Sequence, residues 1–199
     1  MEKELIAVNI RDYLDTDNQY QLGEEYLKNI LSEFSCTKNL EVENFLKNNA
    51  VEFTKKNQSV TYLVFSSEGE NFLGYFTLAI KPLCVNETML SQTVIRKIKR
   101  IGKYDEKTGT YTFSAYLIAQ LGKNFNCNNG KLVTGEKLLN SAIETIKELQ
   151  YKVGGTVVFL ETEENKKLLD FYIQENNLKQ FACRKINEHK ELIQLLKII

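Results

Sequence analysis

The run from Thr110 to Glu161 constrains this chain more than any other part of it. It opens with T-Y-T-F-S-A-Y-L-I-A-Q (Thr110 to Gln120), whose aromatic and β-branched content predicts a strand. From Val133 to Gln150 comes the end of a loop and then a helix. There Leu138, Leu139, Ala142, Ile143, Ile146 and Leu149 recur at helical spacing and define one buried face. Gly154 and Gly155 interrupt the chain before T-V-V-F-L-E (Thr156 to Glu161), an almost unbroken apolar run. A strand covered on both faces has that composition. Strand, helix and apolar strand make a βαβ unit, whose crossover is right-handed. The unit places Thr156 to Glu161 at the centre of a sheet, beside Tyr116 to Leu121.

The flanking segments supply the rest of an α/β domain. Leu5 to Ile10 reads as a first strand, and Leu22 to Phe34 as a helix. Leu40 to Lys55 reads as a second helix, with Leu40, Phe45, Leu46, Ala50 and Phe53 at helical spacing. V-T-Y-L-V-F (Val60 to Phe65) and F-L-G-Y-F-T-L-A-I (Phe72 to Ile80) predict a hairpin joined by S-E-G-E-N. In the basic stretch Ser91 to Lys103, Val94, Ile98 and Ile101 fall on one helical face, with Arg96, Lys97, Lys99 and Arg100 mostly off it. Asn165 to Asn176 predicts a short helix. K-Q-F-A-C-R, from Lys179, predicts a strand, and E-L-I-Q-L-L-K-I-I a strand or a helix. The fold class is therefore a mixed α/β sheet flanked by helices, in one domain over residues 1–199.

Several function classes drop out on composition. No stretch approaches the roughly 20 apolar residues of a membrane span, and Met1 to Arg11 lacks the apolar region of a signal peptide. A cytoplasmic protein is expected. Lysine plus arginine total 26 and aspartate plus glutamate 26, so no global field draws the chain to nucleic acid or membrane. Cys36, Cys84, Cys127 and Cys183 form no C-x-x-C pair, and His189 is the single histidine, which leaves little for a metal site or a Cys-His nucleophile.

Two constellations carry chemistry. The first is L-G-K-N-F-N-C-N-N-G-K-L-V-T-G-E-K-L-L, between a strand end and a helix start. Unpaired N–H groups at a helix N-terminus can hold a pyrophosphate. Gly130 and Gly135 permit close approach, and Lys123, Lys131 and Lys137 add positive charge. The plainer reading is an ordinary strand-to-helix loop with Thr134 as N-cap. The second constellation is E-T-E-E-N-K-K-L-L-D-F-Y, in which Asn165, Leu169 and Tyr172 share one face of an α-helix. There an amide could bond a ligand amide and a phenol could reach the ligand's far end. The alternative is a core tyrosine and a surface asparagine.

Taken together, the two sites resemble the GNAT superfamily of acyltransferases. The family's pyrophosphate loop has the form Gln/Arg-x-x-Gly-x-Gly/Ala. Gly135 matches its last glycine, while Val133 stands at the middle glycine and Gly130 at the Gln/Arg. Asn165 matches the family's pantetheine-contacting asparagine and Tyr172 its general acid, and Asn176-Asn177 replaces a common Asn-Gly. The resemblance runs from about Val60 to Phe181. A narrower one takes in F-S-C (Phe34 to Cys36), L-E-V-E-N-F-L-K-N-N-A (Leu40 to Ala50), T-Y-L-V-F and L-G-Y-F-T-L-A. These look like the branch containing aminoacyl-tRNA-acetylating toxins, although Gln120 stands where an Arg is common there.

The resemblance implies an N-acetyltransferase that uses acetyl-CoA and a splayed pair of parallel strands. The pantetheine arm would lie along the main chain of Leu121, Gly122 and Lys123, bonding groups the splay leaves unpaired. Leu132, Val133, Thr134, Gly135, Glu136 and Lys137 would surround the pyrophosphate, with Asn165 on the pantetheine. The acceptor is a primary amine that attacks directly, with Tyr172 protonating the departing thiolate. Glu161 and Glu163 are possible bases acting through water, or simply solvated carboxylates. Arg96 to Lys103 would contact phosphates if the acceptor is aminoacyl-tRNA; otherwise it is a solvated face. A small-molecule amine and a non-catalytic interaction module are the alternatives, and a homodimer is a possible assembly. No metal is implied.

Overall fold

A computed structural model describes residues 5–15, 23–67, 71–126, 129–188 and 190–199. Its elements begin with β1 (Leu5–Asn9), α1 (Arg11–Leu14), α2 (Gly23–Ser32), α3 (Leu40–Asn48) and α4 (Ala50–Lys55). Next come β2 (Val60–Ser66), β3 (Phe72–Asn86), a 3-10 turn (Glu87–Met89), α5 (Gln92–Ile98), β4 (Lys103–Asp105) and β5 (Thr110–Lys123). The remainder is α6 (Asn129–Leu132), α7 (Gly135–Val153), β6 (Val157–Glu163), α8 (Lys166–Leu169), a π-helical turn (Asp170–Glu175), β7 (Lys179–Lys185) and β8 (Glu191–Ile198). The eight strands form one mixed sheet in the order β1-β2-β3-β5-β6-β8-β7, with β4 paired to β5. The chain divides into two compact units, and β3 and β5 have residues in both.

The first unit comprises Met1–Ala79 and Ile118–Glu148. β1 pairs antiparallel with β2 (Val8 opposite Leu63), and β2 pairs antiparallel with β3 (Tyr62 opposite Phe76), so the predicted hairpin forms. Residues 68–70 of its turn lie outside the described residues, as does Leu22 before α2. The single helix expected over Leu40 to Lys55 is two. Asn49, at φ −120° and ψ −30°, leaves the helical region between α3 and α4. Consecutive asparagines are weak helix formers because their side chains compete for main-chain groups. The break turns Val42 and Leu46, then Ala50 and Val51, onto one apolar cluster with Ile10, Leu27, Leu31, Phe34, Leu63, Phe72 and Tyr75.

The second unit comprises Ile80–Leu117 and Leu149–Ile199. The parallel strand pair expected from the sequence forms here: β5 pairs parallel with β6, Tyr116 opposite Val158 and Leu117 opposite Phe159. The last segment is a strand, not a helix. β8 lies antiparallel to both β6 and β7, with Phe159 opposite Leu196 and Cys183 opposite Ile193. Alternating burial along β8 shows why: Ile193, Leu195 and Leu196 are buried among more exposed neighbours. The basic segment forms a shorter helix than its periodicity predicts. Val94, Ile95 and Ile98 pack with Leu83, Tyr111, Phe113 and Phe159, but Ile101, past the end of α5, is exposed. Gly155 allows Tyr116 to close on the loop before β6. A Cβ there would lie 2.7 Å from Tyr116 Cε2, and the Tyr116 hydroxyl donates to the Gly154 carbonyl.

Candidate functional site

The sequence-predicted residues fall in both units. Leu121, Gly122, Lys123 and Leu132 to Lys137 belong to the first; Glu161, Glu163, Asn165 and Tyr172 belong to the second. Each group is built by its own elements.

In the first unit, Leu121, Gly122 and Lys123 are the last residues of β5, not a loop. The loop beyond them contains a helical turn, α6, in which Gly130 lies; Cys127 is outside the described residues. Thr134 is the N-cap of α7. Its Oγ1 accepts the Lys137 N–H at 3.1 Å and its carbonyl accepts the Leu138 N–H at 3.2 Å. That leaves the main-chain N–H groups of Gly135 and Glu136 in the first turn of a long helix, where its dipole favours an anion. Val133 is 2% exposed, so it anchors the loop against the interior. Leu132 is exposed, as is Glu136, which points its charge to solvent.

Sequence reasoning missed Asn124. It is 1% exposed and its carboxamide is saturated. Oδ1 accepts from Ser35 and Asn126 main-chain N–H groups, both at 3.0 Å, and Nδ2 donates to the carbonyls of Phe72 and Glu33. An asparagine after a strand reads as a turn former, so nothing local marks it as a buried knot. Beside it, the ammonium groups of Lys38 and Lys123 lie 4.8 Å and 5.7 Å from the Phe125 ring centroid. Burial, and then the Lys38 charge, hold the Lys123 ammonium below the ordinary lysine pKa. Neither lysine has a carboxylate partner among the described residues.

In the second unit, Asn165 is not one turn inside a helix. It is the N-cap of α8, at φ −128° and ψ 120°, with Oδ1 accepting from Lys167 and Leu168 N–H groups at 3.0 Å and 3.3 Å. Its carbonyl oxygen is thus committed, and the amide NH₂ is what remains for a ligand. The predicted α-helical face of Asn165, Leu169 and Tyr172 also fails, because α8 passes into the π-helical turn at Asp170. A π turn holds more residues than an α turn, so the spacing of four and then three no longer aligns side chains. Tyr172 is partly buried, with its ring 4.9 Å from that of Phe171, and desolvation pushes its phenol up to about 12.

Both possible bases are engaged. Glu161 pairs with Arg184 and accepts from Gln194 Nε2 at 2.7 Å; Glu163 pairs with Lys190 at 3.1 Å. By contrast, Arg96, Lys97, Lys99, Arg100 and Lys103 are all exposed, and among the described residues none is in an ion pair. No three His, Cys, Asp or Glu side chains among the described residues gather as a metal site. No helix there is long and apolar enough to cross a membrane.

No protein-family model matches the chain, and no curated protein does. Solved structures do. The chain is similar to AtaT complexed with acetyl-methionyl-tRNAfMet, at 17% identity and a TM-score of 0.63, over 98% of this chain and 95% of that one. It is similar to a tyrosine-to-phenylalanine mutant of KacT, at 18% identity and a TM-score of 0.62, over 100% and 95%. It is also similar to a mutant AtaT toxin bound to the C-terminus of the antitoxin AtaR and acetyl-CoA, at 15% identity and a TM-score of 0.57, over 98% and 93%. The chain therefore has the fold of these structures, a mixed α/β sheet flanked by helices, along essentially its whole length.

Proposed function

We propose that this protein is an acetyl-CoA-dependent N-acetyltransferase of the toxin type, acting on the α-amino group of an aminoacyl-tRNA. The observation that carries the reading is the likeness over 98–100% of the chain to AtaT and KacT structures, one of them AtaT complexed with acetyl-methionyl-tRNAfMet and another a mutant AtaT toxin bound to an antitoxin segment and acetyl-CoA. Outside inserted loops, so full a match leaves little room for a different architecture.

The residues present suit the co-substrate. The first turn of α7 offers N–H donors to a pyrophosphate, and Lys123 offers a cation that burial and Lys38 leave short of a counter-charge. The main chain of Leu121 to Lys123, at the end of β5, is assigned to the amide-bearing pantetheine arm; in the second unit the Asn165 NH₂ is a separate donor suited to a ligand amide. When bound, acetyl-CoA supplies an activated acyl group that an amine can take without a covalent enzyme intermediate. Tyr172 holds a proton for the departing sulfur, and desolvation keeps that proton in place through the physiological range.

The acceptor follows from the bases. Because Glu161 and Glu163 are both ion-paired, strong general-base assistance is not at hand from them. A lysine amine near 10.4 needs such help at neutral pH, whereas an α-amine near 7.7–8.0 already has roughly 10–20% of its population deprotonated. The exposed cations of α5 and its C-terminal extension supply phosphate contacts for an RNA acceptor.

The test is acetylation of a mixture of charged tRNAs by the purified protein with radiolabelled acetyl-CoA, alongside calorimetric titration with acetyl-CoA. Labelled acetyl-aminoacyl-tRNA and micromolar binding are expected. Binding without transfer to any charged tRNA would redirect the reading to a small-molecule amine. Absence of binding would leave a non-catalytic interaction module.

A further inference from the structure

The segment that carries Tyr172 is an unusual one. π-Helical turns are rare, cost free energy relative to the α-helix and gather at functional sites, where neighbouring groups hold them in place. Here the neighbours are identifiable. Asn176, 6% exposed, donates its Nδ2 to the Phe171 carbonyl at 2.8 Å. In an α-helix that carbonyl would accept the main-chain N–H of residue 175; here the Asn176 side chain supplies a donor to it from beyond the turn. Asn177 then takes the left-handed conformation, φ 59°, which asparagine tolerates better than other residues with a side chain. The Leu178 N–H closes the end by donating to the Tyr172 carbonyl at 3.0 Å. In a Schellman cap with its left-handed residue at Asn177, the Leu178 N–H would reach Ile173; this closure is one residue wider. Lys197, on β8, donates from Nζ to the Asn176 carbonyl at 3.0 Å, setting a cation at the negative end of the turn.

We propose that Asn176, braced by Lys197, is a positioning residue that holds the π-helical turn and thereby aims the Tyr172 phenol for acyl transfer. Successive α-helical residues are about 100° apart around the axis. Reversion of this turn to α geometry would therefore swing the phenol away from its present direction without unfolding the helix. Asn176 acts through the main chain beside Tyr172, by its bond to the Phe171 carbonyl. The proposal rests on the acetyltransferase reading and on Tyr172 as its acid.

The test is a double-mutant cycle on the full chain, read as kcat and KM for acetyl transfer to charged tRNA, with acetyl-CoA affinity measured separately. Asn176→Asp removes the donor and keeps the shape. With Tyr172 present, kcat should fall on the order of 10- to 100-fold, the range for a misplaced reacting group, with acetyl-CoA affinity within about twofold of wild type. In a Tyr172→Phe background the same change should produce no further fall in kcat, since there is no longer a phenol to aim. Lys197→Met, which keeps the stem, should act in the same direction by a smaller factor and serves if Asn176→Asp does not fold. An Asn176→Asp or Lys197→Met protein with wild-type kcat, while Tyr172→Phe is inactive, overturns the positioning role alone. Equal losses in both backgrounds also overturn it, because they report general damage. A fully active Tyr172→Phe protein overturns the acid role and the positioning role together.

Discussion

The carboxamide oxygen of Asn124 accepts the main-chain N–H of Ser35 at 3.0 Å, tying the end of β5 to the segment between α2 and α3. The same side chain donates to Phe72 and Glu33 carbonyls, so each of its polar atoms is used inside the first unit. Asn124→Leu should strip a partner from the buried Phe72 carbonyl and from the partly buried Ser35 N–H. Each group so stranded costs about 1–3 kcal/mol. Urea unfolding should show a loss in that range or above it, and a change under about 0.5 kcal/mol would contradict this account.

Gly122 is close-packed. A Cβ at that position would lie 2.5 Å from Val42 Cγ1 and 2.9 Å from Tyr75 Cε1. Gly122→Ala should destabilise by about 1–3 kcal/mol through overpacking. Val42→Ala in the same chain removes the nearest obstruction and should recover part of that loss. Additive losses in the double mutant would mean that the strain lies elsewhere.

Asn165 has two separable roles. Asn165→Asp retains an oxygen to cap α8, so its unfolding midpoint should stay close to wild type, whereas Asn165→Ala should cost about 1 kcal/mol. Both variants lose the NH₂ group. If that group bonds the pantetheine arm, both should bind acetyl-CoA roughly 3- to 10-fold more weakly, the equivalent of one neutral hydrogen bond. Unchanged affinity in Asn165→Asp would remove the residue from the site.

Desolvation raises the Tyr172 phenol from 10.0 to about 12. The folded state therefore holds the phenolic proton more tightly than the unfolded chain does. The stability linked to it is present below pH 10 and is lost as pH rises from about 10 to 12. As the acid, Tyr172 should keep kcat level between pH 8 and pH 10, and the limb it controls should lie near 12. A Tyr172-dependent fall centred near 10 would show that the phenol is solvated when it acts. Tyr172→Phe should lower kcat by about 10²–10⁴-fold and leave acetyl-CoA binding nearly intact.

Arg96, Lys97, Lys99, Arg100 and Lys103 predict a salt-dependent RNA interaction. Lys99→Glu with Arg100→Glu should weaken tRNA binding and flatten the plot of log affinity against log salt, by roughly one unit for each phosphate contact removed. Filter binding across 50–200 mM salt measures both. Unaltered slope and affinity would return this surface to a solvated face.

Much of the architecture was legible from residue order alone. The apolar run at Thr156 to Glu161 marks a strand covered on both faces, and β6 is flanked by β5 and β8. The stripe from Leu138 to Ile146 marks α7 because five buried side chains at one spacing leave a single solution. Readings that depended on one or two residues fared worse. Asn49 ends a helix that its apolar neighbours would continue, and Ile101 matches a helical face that α5 does not extend far enough to present. The candidate site was legible as residue types, not as geometry: Asn165 caps a helix it was expected to line.

Periodicity and composition settled which segments of this protein are strands and helices, because burial of a repeating apolar face is a sum over many side chains and survives local exceptions. What tertiary structure alone decided was the Asn124 knot, the pairing of Glu161 with Arg184 and Gln194, and the π turn closed by Asn176 and braced by Lys197. Each is a small set of directional bonds whose partners the neighbouring sequence does not reveal. Hydrogen bonds of that kind exist only once the sheet has brought distant main-chain and side-chain groups within about 3 Å of one another.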